Sequence, residues 1–103
     1  MYLTNDINDH IEVYKPTLDD IKAYEDNFRY AVFAFNQKEF NNAINFFHKA
    51  YIANPKKVDP LYNIVNIHFH LKDIKSACET LKILAHLEQT EGIKLYNEHC
   101  LKN

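Results

Sequence analysis

Glycine is nearly missing from this sequence: Gly92 stands alone among 103 residues, beside three prolines, two cysteines and no tryptophan. Tight β-hairpin turns and phosphate-binding loops lean on glycine at positive φ, so a hairpin-rich sheet and a nucleotide-cradling loop are both excluded. None of the patterns G-x-x-x-x-G-K, G-x-S-x-G or H-E-x-x-H occurs. No apolar run approaches the roughly 18 residues of a membrane span, and mean hydropathy is -0.44. The first ten residues, MYLTNDINDH, carry neither the basic start nor the apolar core of a secretory signal. A soluble, cytoplasmic chain with no membrane partner is the expectation. Arginine occurs once, at Arg29, and the net charge is -2, which leaves no electrostatic footprint for nucleic acid. Cys78 and Cys100 have no C-x-x-C spacing and are too few for a disulfide scaffold, so they read as reduced, half-buried thiols.

What remains is apolar and periodic. Forty-seven per cent of residues are hydrophobic, enough to exclude wholesale disorder, and a chain of this length makes one domain with no room for a separate catalytic one. The spacing predicts an all-α fold. Thr17 with Asp19 and Asp20 marks a helix start, and Leu18, Ile21, Glu25, Phe28, Val32 and Phe35 continue at alternating spacings of three and four. One long helix over 18–36 follows, with a kink conceivable at Asp26-Asn27. A polar turn at 36–39 then folds back a second helix holding Phe40, Ala43, Ile44, Phe47, Ala50 and Tyr51, which Pro55 ends. Asp59-Pro60 opens a third helix, Lys72-Asp73 makes the next turn, and Ala77, Cys78, Leu81 and Leu84 stripe a fourth. Thr90-Glu91 caps a last one carrying Ile93, Leu95, Tyr96 and Cys100. Residues 1–16 form an N-terminal arm, in which Thr4 can cap a short helix, and residues 17–103 form the helical domain.

The two helical pairs align on each other at an offset of 34. Ala43 falls on Ala77, Phe47 on Leu81, Ala50 on Leu84, Phe40 on Ile74, Tyr30 on Ile64, Phe28 on Tyr62 and Phe35 on Phe69. With Ala31 at the small position of its first helix, Ala43, Phe47, Ala50 and the closing Pro55, the unit 24–57 resembles the tetratricopeptide repeat family, whose unit is a 34-residue helix pair. The unit 58–91 is a degenerate repeat, with Val65 at the small position, Leu84 for the second alanine and Gln89 where proline is usual. Residues 92–103 resemble a capping helix.

The resemblance implies antiparallel helix-turn-helix repeats in a superhelix whose concave face is lined by the first helix of each pair. That face would present Phe28, Val32, Phe35 and Asn36 in the first unit and Tyr62, Asn66, Phe69 and His70 in the second. Carrying the offset into the capping helix adds Tyr96. Such an aromatic groove suits an amphipathic helix or apolar segment of a protein or peptide partner, with Asn36, Asn66 and His70 orienting it. Three occupants fit: a partner, a second copy in a homodimer, or the arm itself through Leu3, Ile7, Ile11 and Tyr14. In the last two cases the face is structural. The family's clamp for acidic chaperone tails is not matched, because Phe28 and Val32 stand where its lysine and asparagine belong and only Asn63 agrees. In groove chemistry and size the chain is closer to small chaperones of bacterial secretion-system subunits.

Catalysis and cofactors are not expected. His68 and His70 diverge by about 200° on a helix and cannot share a metal; His99 and Cys100 diverge likewise. Asp19-Asp20 and Glu25-Asp26 read as helix-start and surface acids, since no nucleophile or oxyanion donor accompanies them.

Overall fold

A computed structural model describes residues 15–101, which form five helices and no strand. These are α1 (Leu18–Asn36), α2 (Phe40–Ala53), α3 (Asp59–His70), α4 (Ile74–His86) and α5 (Thr90–His99). The expected cap at Thr4 and the placement of the arm fall on residues outside the described range. No helix among the described residues is long and apolar enough to cross a membrane.

Thr17 starts α1 through a capping box: its hydroxyl accepts from the Asp20 amide at 3.0 Å, and the Asp20 carboxylate accepts from the Thr17 amide at 3.1 Å. The helix then runs unbroken through Asp26 and Asn27, and the Asn27 side-chain amide donates to the Ala23 carbonyl without interrupting it. Asp73 caps α4 by accepting from the Ser76 amide at 3.1 Å. Two expected caps are displaced by one residue. Asp59 and Thr90 are the first residues of their helices, and Val58 and Gln89 hold the cap positions with no side-chain hydrogen bond.

The turns explain how a chain with one glycine reverses direction so often. After α1 the Glu39 amide donates to the Ala34 carbonyl and the Lys38 amide to the Phe35 carbonyl, both at 2.9 Å. This is a Schellman motif, which places its C′ residue in the left-handed region and favours glycine there. Lys38 takes that place at φ 63°. The motif recurs 34 residues on, with Asp73 donating to His68, Lys72 to Phe69, and Lys72 at φ 62°. Glu88, at φ 59°, closes α4 in the same way. Three side-chain-bearing residues thus occupy positions where a Cβ is unfavourable.

Packing repeats with the turns. Ala31, Ala43, Ala50 and Ala77 have no exposed surface, and Phe47, Leu81 and Leu84 are buried between them. Alanine at these points lets paired helices approach closely while the larger side chains fill the interior. Extensive contacts join sequence neighbours only: α1 with α2, α2 with α3, α3 with α4 and α4 with α5. The result is elongated, with a radius of gyration of 16.0 Å against about 13 Å for a compact domain of 100 residues.

One expectation is overturned. Cys78 and Cys100 are not thiols; they form a disulfide that joins α4 to the residue after α5, with Cα atoms 5.6 Å apart. Sequence spacing did not reveal it because the pair meets only when α5 folds back along α4. Disulfides persist chiefly in oxidising surroundings, which weighs against the cytoplasmic expectation. Gly92 sets the approach of the same two helices, since a Cβ there would stand 2.6 Å from the Leu84 Cβ.

Two outcomes follow for stability. Replacing Lys72 by glycine relieves the left-handed position and should raise stability by about 0.5–1 kcal/mol in urea unfolding, the relief exceeding glycine's entropic cost; a loss would contradict the strain. Cys100→Ser should cost about 3 kcal/mol for a loop of this length, with amide exchange in α5 accelerating more than in α2.

Candidate functional site

The face between α1 and α3 is built from alternate stripes of the same helices that make the core. Ala31 and Ala34 point from α1 into its partner α2, so Val32 and Phe35 must turn away from it. They remain about 41% and 40% exposed. Across from them α3 presents Asn63, Asn66 and Ile67, and α2 supplies the edge of Phe47 from below. Together these six side chains line a recess of about 330 Å³, more enclosed than the recesses beside Phe40, Ile83 and Cys78. Its lining carries no formal charge. The Asn63 amide donates to the Asp59 carbonyl at 3.0 Å, which orients that side chain at the rim.

Three of the residues predicted for the groove meet here: Val32, Phe35 and Asn66. His70 lies at the edge, its ring 6.5 Å from Phe35 and 5.1 Å from Phe40, and Asn36 is exposed at the end of α1. The other four are half-buried in packing contacts. Phe28 sits against Tyr24 and, edge-on, against Phe47. The Tyr62 hydroxyl accepts a hydrogen bond from the Gly92 amide at 3.0 Å, tying α3 to α5. Phe69 packs on His99 at 5.0 Å. Tyr96 packs against the core and borders the recess beside the disulfide.

The ladder of Phe28, Tyr62 and Tyr96 therefore does not line one recess. The link from α4 to α5 has three residues against five between α2 and α3, and α4 is one residue shorter than α2, so α5 begins 16 residues after the start of α4 where α3 begins 19 after the start of α2, and the offset of 34 is lost. Sequence spacing places Phe47 in the apolar stripe of α2 and assigns no role to Ile67. Both are buried yet contribute a surface to the recess, and no periodicity distinguishes a core side chain with one face open.

Charge is concentrated elsewhere on α1. Asp26 bridges Lys22, at 2.8 Å, and Arg29. The hydrogen bond from Lys22 holds the Asp26 carboxyl below its usual range, with Arg29 adding to the effect. Lys57 lies over the Tyr24 ring at 4.9 Å, and burial pushes the Tyr24 hydroxyl upward. On α2, partial desolvation of the surface-exposed His48 and the neighbouring His68 lower its imidazole. The Nδ1 of His68 is itself buried with no hydrogen-bond partner among the described residues.

Compared with known proteins, the chain matches no family model, no curated protein and no solved structure.

A pH dependence follows from His48. Its folded value lies below the ordinary 6.5, so the unfolded chain takes up the proton first. Its stabilising contribution is complete above pH 6.5 and is lost as pH falls below that value. Asp26 and Asp73, whose carboxyls are lowered, lose theirs only on entering the acid range near pH 4. His48→Gln should therefore flatten the decline in urea midpoint between pH 7 and pH 5; an unchanged slope would remove His48 as its source.

Proposed function

We propose that the chain is a tetratricopeptide-like protein-binding module that holds an amphipathic helix or apolar segment of a partner between α1 and α3. The observation that carries this reading is the uncharged recess, with Val32, Phe35, Phe47 and Ile67 as apolar walls and Asn63 and Asn66 at its rim. A concave apolar site with a few polar groups is what a buried apolar anchor requires. The family reading is supported by two features that recur at an interval of 34: the Schellman turns at Lys38 and Lys72, and the buried pair Ala43 and Ala77. The module acts as an adaptor or small chaperone and needs no cofactor for this role. A structural subunit is the rival reading, favoured by the exposure of Leu18, Phe33 and Ile52 at 84%, 66% and 74%.

Binding is tested with the full chain and fluorescein-labelled peptides whose leucines recur at helical spacing, each paired with a scrambled control. Saturable binding of the patterned peptides is expected. Val32→Ala with Phe35→Ala should weaken it at least tenfold, or about 1.4 kcal/mol, and shift the melting temperature little because both side chains are partly exposed. Equal binding of scrambled peptides, or no effect of the double substitution, overturns the reading. A dimer that dissociates on Phe35→Asp would instead establish the structural subunit.

A further inference from the structure

The last helix is the one least secured by packing. Three residues are buried in each of α1 and α2, five in α3 and four in α4, whereas α5 buries Gly92 alone. A glycine brings no side chain to the interior and lowers helix propensity. Gln89 caps α5 without a side-chain hydrogen bond, and ten residues fall short of the roughly 12–15 at which an isolated helix is even marginal in water. Its extensive contacts are with α4. To α3 it is tied by the hydrogen bond from Gly92 to Tyr62, at 3.0 Å, and by the rings of Phe69 and His99, 5.0 Å apart.

The bond between Cys78 and Cys100 stands where this weakness matters. The chain itself holds the start of α5 through residues 87–89, and Cys100, next after His99, fastens the far end to α4. The bond is also within reach of solvent. Both cysteines are half-buried and border an open recess of about 460 Å³, whose walls include Lys75, Glu79, Lys82 and His99. Lys75 and Lys82 stand three residues before and four after Cys78, which puts all three on one face of α4. A disulfide open to solvent belongs to the labile class, and positive charge beside one sulfur favours that sulfur as the leaving thiolate.

We infer that this disulfide is a redox-controlled latch: a dithiol reductant opens it, and α5 leaves α3 and α4 while the other four helices stay folded. A thiolate of the dithiol attacks the Cys100 sulfur, the bond to Cys78 breaks, and Cys78 departs as a thiolate beside Lys75 and Lys82. The second thiol of the reductant, once deprotonated, then displaces Cys100 from the mixed disulfide. Two electrons pass to the cysteine pair, which takes up the two protons given up by the dithiol, and the reductant ends as a disulfide. Held at one end only, α5 uncovers Tyr62 and Phe69 of α3 and Leu84 of α4, against which Gly92 is pressed. Tyr62, Asn66 and Phe69 form one stripe of α3, so release extends the open surface along that helix from the recess at Asn66. Release of α5 does not depend on what that recess binds.

The test uses the full chain with the bond closed by oxidised glutathione, then treated with dithiothreitol and followed by mass spectrometry of alkylated thiols and by amide hydrogen exchange. Reduction is expected without denaturant, and exchange in α5 should then accelerate by about tenfold or more while exchange in α1 and α2 changes little. Reoxidation should restore the slow rates. Cys78→Ser combined with Cys100→Ser should show the fast α5 exchange with no reductant present. Lys75→Gln combined with Lys82→Gln should slow reduction by about threefold and leave the melting temperature of the oxidised form unchanged. Unaccelerated exchange in α5 after reduction overturns the latch. Equal acceleration in all five helices overturns it too, because the bond would then support the whole stack. So does a bond that opens only in denaturant, or a chain that keeps two free thiols in oxidised glutathione. An unchanged reduction rate in the lysine variant overturns the assignment of Cys78 as the leaving sulfur.

Discussion

The structure depends on helices meeting their sequence neighbours at alanine. With Ala31, Ala43, Ala50 and Ala77 fully buried, backbones approach closely enough for Phe47, Leu61, Leu81 and Leu84 to fill the space between pairs. Larger residues at the alanine positions would force the helices apart, and a close-packed interior does not yield easily. Because the contact at Ala43 recurs at Ala77, with buried Val65 and Leu84 standing 34 residues after Ala31 and Ala50, the stack grows in one direction. Each helix needs only its neighbours, and the exposed faces of α1 and α3 are left side by side.

Reversal of the chain imposes the second constraint. Three Schellman turns are closed by Lys38, Lys72 and Glu88 in the left-handed region, where glycine would be the easier choice. The hydrogen bonds of the motif, together with burial of the helices on either side, outweigh a local cost of order 1–2 kcal/mol at each residue. The single glycine is placed in a helix instead, at Gly92, where closeness between α4 and α5 decides the residue. Scarcity of glycine correctly excluded hairpins and phosphate loops, yet said nothing about how helices would turn.

The recess and the outer face of α1 are two sides of one helix with different histories. On the first, the side chains of α1 and α3 converge because the repeat places them in register. On the second, the repeat has no described member to cover Tyr30 and Phe33. The disulfide and the Tyr62–Gly92 hydrogen bond secure the opposite end of the stack. The chain therefore invests covalent and polar contacts in the α5 end, where the offset is broken and regular packing cannot be relied on.

The helices, their order and the periodic core were legible in the sequence because each follows from local rules: spacing of apolar residues, capping at Thr17, the turn at Lys72-Asp73, the break at Pro55 and the start at Asp59-Pro60. The offset of 34 was legible for the same reason, as was the outward stripe of Val32 and Phe35. Other features were decided by tertiary structure. Cys78 meets Cys100 only through the return of α5, Tyr62 joins the packing through an amide 30 residues away, and a shortened link shifts Tyr96 out of the ladder. Phe47 borders the recess although periodicity marks it only as core, and so does Ile67, which no stripe read from the sequence included. A pattern in one dimension tells which face of a helix is apolar; what covers that face depends on distances between helices, which no local spacing contains.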